Sequence, residues 1–209
     1  MERLRRLGWL ASLSFSIALG SCSDSTDPGG DGDDVKDPDE LAFLQLPANH
    51  PPFFNTSTSF YAKIDRSSEA KLYFQEPGGG RGEEFAVLKI DSGTLLARPD
   101  GTPYGPGDSV LITMRIVDQS LVQVELLPSG IRFSSSKPAE LKLDYEETEG
   151  DLDGDGDHDD EDDTIETRLS IWRQENPGDP FVKIGTVKTE GARELKAFLT
   201  SFSRYAISY

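Results

Sequence analysis

The sequence predicts an all-β protein, an antiparallel β-sandwich with a long acidic loop inserted between two of its strands. Three observations carry that prediction. Short runs alternate apolar and polar residues with period two, clusters of Gly, Pro, Asp and Asn separate them, and beyond the N-terminal leader no stretch combines helical period, length and caps.

The clearest run is Val110, Ile112, Met114 and Ile116, which share one face while Leu111, Thr113 and Arg115 share the other. Val122, Val124 and Leu126 alternate with Gln123 and Glu125 in the same way, as do Leu141, Leu143 and Tyr145 with Lys142 and Asp144. Period two with one apolar face marks half-buried strands in a two-layer antiparallel fold. Similar runs are Lys71 to Gln75, Glu84 to Ile90, Thr167 to Trp172, Phe181 to Val187, Glu194 to Leu199 and Arg204 to Ser208. Glu190 to Leu199 comes nearest to a helix, but Lys196 and Phe198 alternate with Leu195, Ala197 and Leu199, which predicts a strand. Turns are signalled at Glu76-Pro77-Gly78-Gly79-Gly80, Asp100-Gly101, Gly105-Pro106-Gly107-Asp108 and Asn176-Pro177-Gly178-Asp179. Many short strands at regular spacing point to a sandwich, and there is no internal repeat.

Ahead of this region, Arg3, Arg5 and Arg6 precede an apolar stretch from Leu7 to Leu19, and small residues lead to Cys22, the only cysteine of the chain. That order fits a cleaved export signal over 1–21, and thirteen residues with serines among them fall short of the roughly 20 needed to span a bilayer. Leu19-Gly20-Ser21-Cys22 resembles the cleavage box of bacterial lipoproteins. The resemblance implies that Cys22 becomes the mature N-terminus and carries acyl chains, anchoring the protein to a membrane. The signal implies an extracytoplasmic place, at the outer membrane or cell surface; if the cell has an outer membrane, Ser23 rather than Asp directly after the cysteine favours sorting there, by analogy with known lipoproteins. With Cys22 acylated, no disulfide can form. Residues 22–40 then read as a disordered acidic tether too polar to fold, and residues 41–209 as one domain with length enough for an adequate core.

The charge is −17, from 38 acidic and 21 basic residues, but it is concentrated in two places. Residues 24–40 hold eight acids and one lysine, and residues 151–163 hold nine acids and no base. Outside these segments and the leader, 20 acids face 17 bases. The domain surface is therefore nearly neutral, and the clustered basic surface that nucleic acid requires is missing.

The second acidic segment carries the most specific chemistry in the chain. Asp151, Asp153 and Asp155 occupy loop positions 1, 3 and 5, Gly156 position 6, Asp157 position 7, Asp159 position 9 and Asp162 position 12. Calcium is a hard cation that takes six to eight oxygens in flexible geometry, and this is the spacing by which one loop wraps them around an ion. Asp151, Asp153 and Asp155 are the expected carboxylate ligands, with Asp157 through its carbonyl, Asp159 through water, Asp162 closing the shell and Gly156 permitting the turn. Dockerin-type and thrombospondin-type calcium loops, which the segment resembles, also use Asp at position 12. Strands are expected on both sides, so a helix-loop-helix switch is not.

Two further segments, Val122 to Phe133 continued by Lys137 to Leu143, and the ending Ser201 to Ile207, resemble the ZU-five type β-sandwich of ankyrins, netrin receptors and bacterial surface lipoproteins. The resemblance implies a ZU-five-like or immunoglobulin-like sandwich with a structural or binding role and a protein or glycan partner. Some relatives cleave themselves at His-Phe-Ser. Here the matching residues are Ser201, Phe202 and Ser203, so the histidine is missing and Ser203 lacks the base that would activate it. His50 and His158, the only histidines, lie in unrelated segments, His50 as an exposed linker residue. Gly78 to Gly82 lacks the Lys-Ser/Thr of a phosphate loop and reads as a hairpin connection. The expectation is a non-catalytic, lipid-anchored envelope protein. Its alternatives are a self-cleaving domain using Ser203 and a calcium-dependent glycan adhesion module.

Overall fold

The computed structural model describes residues 34–209 apart from positions 149, 154, 190 and 191. The expected leader, Cys22 and the first part of the expected tether lie outside the described residues. Within them, the alternating runs form strands that build two main sheets. Strands β1 (Val35–Lys36), β2 (Ser57–Lys63), β6 (Ser109–Ile116), β7 (Gln123–Leu127), β10 (Ser170–Gln174), β11 (Phe181–Lys183) and β14 (Arg204–Ser208) form a seven-stranded sheet in the order β1-β11-β10-β14-β7-β6-β2. Strands β3 (Ser68–Gln75), β4 (Arg81–Ile90), β9 (Ala139–Asp144), β12 (Thr186–Lys188) and β13 (Glu194–Leu199) form a five-stranded sheet in the order β12-β13-β9-β4-β3. A small ribbon pairs β5 (Leu95–Ala97) with β8 (Arg132–Phe133), and every pairing is antiparallel. The fold is an all-β antiparallel sandwich.

Alternation decides what fills the space between the sheets. Leu72 and Phe74 of β3, Leu88 of β4, Leu141 and Leu143 of β9 and Leu195 of β13 meet Ile112 and Met114 of β6, Val124 and Leu126 of β7 and Ile207 of β14 in one buried cluster. Burial of each such side chain contributes about 1.5–3 kcal/mol.

The run expected as one strand from Phe181 to Val187 divides. Its first half joins the seven-stranded sheet and its second half the five-stranded sheet, so the chain turns the edge of the sandwich at Ile184-Gly185. A single period-two run hides this corner because alternation alone does not say which sheet each half joins.

The N-terminal boundary also differs from expectation. Sheet structure begins at Val35, inside the segment read as tether, where Val35 and Lys36 pair with Val182 and Phe181. Further on, the chain enters the seven-stranded sheet where β7 and β14 part. The Leu44 amide donates to the Ile207 carbonyl, and its carbonyl accepts from the Val122 amide, each at 3.0 Å. Between these points Leu41 and Phe43 pack with Trp172, Phe181 and Ala206 in a second apolar cluster on the outer face of that sheet. Trp172 lies between Lys36 and Lys183, whose ammonium groups stand 5.7 and 5.8 Å from its ring.

The outer face of the five-stranded sheet follows a different plan. Register places Lys196 beside Lys142, and both Lys142 and Lys71 beside Val87, giving a row of three lysines across the strands. Like charges side by side are unfavourable unless carboxylates flank them. Lys196 pairs with Glu140 at 3.2 Å, Lys142 with Glu194 at 3.0 Å and Glu84 at 3.2 Å, and Lys71 with Glu69 at 3.0 Å and with Glu84. The near-neutral charge of the domain is thus, on this face, a paired surface.

Asp144, opposite Glu194 at the end of this face, has its carboxyl pushed up to about 6. Burial is the main cause, and the charges of Glu146 and Glu194 add to it against the Glu146 amide and Lys142. A carboxyl held above its unfolded value favours the folded state at low pH. That contribution is complete below about pH 4 and disappears as pH rises through about 6. Asp144→Asn is expected to be more stable than wild type at pH 7 to 8, with the difference gone by about pH 4, measured by urea denaturation across that range. Leu44→Ala is expected to cost about 2–5 kcal/mol in the same assay, because its side chain is 1% exposed at the junction of β7 and β14.

Candidate metal loop

The acidic loop lies on the connection from β9 to β10, where the chain passes from the five-stranded to the seven-stranded sheet. After β9 comes a 3-10 turn, Glu146–Thr148, then the loop, then a helix α1 over Asp160–Arg168. That helix corrects the sequence reading, which expected a strand from Thr167 and no helix on either side of the loop. Strand β10 begins only at Ser170. Apolar period could not reveal α1, since Ile165 is its only buried apolar residue. A cap signal was present all the same. Asp159 is the N-cap, its side chain accepts from the Glu161 amide at 2.7 Å, and Asp162 accepts from the Asp159 amide at 3.0 Å to complete a capping box. Acids at Asp160, Glu161, Asp162 and Asp163 suit the positive end of the helix dipole.

The helix starts at loop position 10, which turns position 12 back over the loop. The Asp162 carboxylate is buried and accepts from the amides of Leu152 at 2.6 Å, Asp159 at 3.0 Å and Asp153 at 3.4 Å. The Leu152 amide is the chief cause of the fall in its carboxyl below the usual range. Asp162 therefore clamps the start of the loop to the start of the helix. Hydrogen bonds within the loop shape the remainder, from the amides of Asp155 to Asp153, Gly156 to Asp151 and Asp157 to Asp155, at 3.0 to 3.1 Å. Gly156 takes φ +100°, the left-handed turn its position predicts, and Gly150 takes φ +92°. That φ strains any side chain at position 150, and a Cβ there would also lie 2.8 Å from the exposed His158 ring, so glycine suits it best.

All six predicted metal residues lie in this loop, and their carboxylate oxygens gather in two groups. Asp151, Asp153 and Asp155 converge within 4.8 Å of one another, and Asp157, Asp159 and Asp162 do the same. The expected role of Asp157 was its carbonyl, whereas here its carboxylate joins the second group. The charge of Asp155, then partial burial and the charges of Asp159, Asp162 and Asp153, raises the Asp157 carboxyl. His158 is exposed and reaches Asp163 at 3.6 Å.

Two residues that the spacing did not single out tie the loop to the domain. Leu152 is buried in the main core, and its carbonyl accepts from the Tyr209 hydroxyl at 3.5 Å. Glu166 holds α1 to the five-stranded sheet, accepting from the Tyr145 hydroxyl at 3.1 Å and from Lys188 at 2.7 Å. A cleft of about 310 Å³ separates the loop from the N-terminal segment, with Phe43 and Tyr209 on its walls. Both rings are already engaged, Phe43 edge-on to Phe181 at 5.1 Å and Tyr209 beneath the Arg168 guanidinium at 5.6 Å.

The candidate nucleophile lies elsewhere. Ser203 is 2% exposed, just before β14, and its hydroxyl donates to the Tyr205 oxygen at 3.4 Å. The carbonyl that it would attack, on Phe202, accepts from the Gly130 amide at 3.2 Å. Burial pushes the Tyr205 hydroxyl up to about 12, so at neutral pH it keeps its proton and donates it to the Ser201 carbonyl at 2.7 Å. His50, expected as an exposed linker residue, is half-buried and packs on Phe53 and Phe74.

Asp159→Ala, which removes the helix cap, is expected to cost about 1 kcal/mol. Asp162→Ala is expected to lower the melting temperature further, since it frees three amides at once, and far-UV and thermal scans in chelator compare the two directly. The chain matches no protein-family model, no curated protein and no solved structure.

Proposed function

We propose that this is a lipid-anchored, non-catalytic envelope protein whose acidic loop binds calcium and thereby stiffens a β-sandwich with a structural or binding role. The observation that carries the calcium reading is the loop itself. Two groups of three carboxylates lie on a turn whose two ends the buried Asp162 joins. Every donor is an oxygen, which suits a hard cation, and the only imidazole nearby is exposed and bound to Asp163. A cation there would relieve the repulsion that raises the Asp157 carboxyl. Because the loop links the two sheets, an ion held in it would brace the connection between them. The anchor rests on Arg3, Arg5, Arg6 and the Leu19 to Cys22 run. Among the described residues, no helix is long and apolar enough to cross a membrane.

Two observations weigh on the other readings. Self-cleavage at Ser203 has a carbonyl donor in Gly130, but the serine's hydrogen-bond partner is a tyrosine that keeps its proton at neutral pH. For calcium-dependent glycan adhesion, the aromatic rings beside the loop are taken up in packing.

Calorimetric titration is expected to show calcium binding with a Kd of about 10⁻⁴ to 10⁻³ M. A tenfold excess over Kd should add about 1.4 kcal/mol of stability. Asp151→Asn and Asp162→Asn should each weaken binding about tenfold or more, while magnesium, which demands a tighter octahedron, should not replace calcium. Absence of binding heat together with an unchanged melting temperature in chelator overturns the metal reading.

A further inference from the structure

At the opposite end of β9 from the metal loop is a cleft of about 480 Å³, bounded by the start of β9, the end of β13 and the turn after β4. On its wall stands Phe198, 51% exposed, beside Glu140 in the register of β9 and β13. Among the described residues, it is with Val187 one of two exposed large apolar side chains on this face, and the only aromatic one among them. Its neighbours are charged residues held in ion pairs, and the strand partners Leu195, Ala197 and Leu199 that support the fold point inward. Pro138 adds a second apolar surface.

The polar side of the cleft is exposed and charge-balanced. Ser67 donates its hydroxyl to Asp91 at 3.0 Å, Lys89 pairs with Asp91 at 3.3 Å, and Lys137 donates to the Ser92 carbonyl at 3.3 Å. Glu140, at the rim, is paired with Lys196. Carboxylates among the lysines count against a phosphorylated or nucleic-acid ligand, while the exposed hydroxyl, carboxylate and ammonium groups keep donors and acceptors beyond those pairs for a polar ligand. An accessible aromatic surface beside donors and acceptors suits a molecule with an apolar C–H face and a rim of hydroxyls.

We propose that this cleft is a binding site for a neutral oligosaccharide, with a sugar ring stacked on Phe198 and its hydroxyls bonded to the Ser67, Asp91 and Lys137 side of the cleft. The site does not depend on calcium, because β9 separates it from the metal loop by about 17 Å. It stands or falls apart from the metal reading.

Saturation-transfer NMR on the full-length chain with cellotriose, maltotriose and chitotriose, each at about 10 mM, tests the assignment. Transfer is expected to at least one of the three, unchanged by chelator. Phe198→Ala should weaken that binding about tenfold or more, and Phe198→Trp should keep it, with both variants folding as wild type because the side chain is exposed. No transfer to any of the three, equal binding by Phe198→Ala, or loss in chelator overturns the proposal. A cleft that seats a protein partner instead would give the first of these results.

Discussion

The structure depends on one constraint: burial between two facing sheets must hold the domain together without covalent help. The chain has a single cysteine, at position 22, and none from Val35 onward. Leucine, isoleucine, valine and phenylalanine from both sheets therefore fill one continuous core, and the strands on its inner faces show almost no exposure. Everything else in the molecule is arranged around that layer. The outer face of the five-stranded sheet is covered by paired charges, whereas the outer face of the seven-stranded sheet is partly covered by the chain's own N-terminal segment. Surface ion pairs of this kind each contribute little, about 0–1 kcal/mol, so their main effect is to keep an exposed sheet face soluble and without like-charge contacts.

The connections between the sheets carry the chemistry. A β-sandwich must pass the chain over its edges, and here one passage holds nine acids in thirteen residues. Isolated in solution, such a segment would expand by its own repulsion. The structure restrains it at both ends, with Leu152 in the core and α1 fixed to Tyr145 and Lys188 through Glu166. Asp162 joins these restraints, since one carboxylate accepts from residues on both sides of the loop. Charge density and restraint thus occur in the same segment.

Legibility in the sequence followed the range of the interactions. Strands with one wet and one buried face, such as β6 and β9, were readable because each residue's surroundings repeat every two positions. The spacing of Asp151 to Asp162 was readable for a similar reason, as a local pattern. Helix α1 was not, because its stability comes from caps and from Glu166 rather than from an apolar stripe. Its cap at Asp159 was written in the sequence, though among so many acids it did not stand out. Strand β1 escaped because its two residues have no pattern of their own and gain order only by pairing with β11. Likewise Phe198 was recognisable as a strand residue, but its outward direction is set by the register with β9. The contact between Leu152 and Tyr209 spans 57 positions, and no local pattern encodes it.

The way the chain enters the seven-stranded sheet has a mechanical consequence. A pull applied from the N-terminus meets β1 first, where two residue pairs at the sheet edge can open one after the other at low force. Beyond them the load reaches Leu44, held by hydrogen bonds to β14 on one side and to the residue preceding β7 on the other, with its side chain sunk in the core. Those bonds and the packing beneath them must fail together. The entry is therefore a two-stage catch, with an outer edge pairing that yields first and an inner stage seated in the core that yields last.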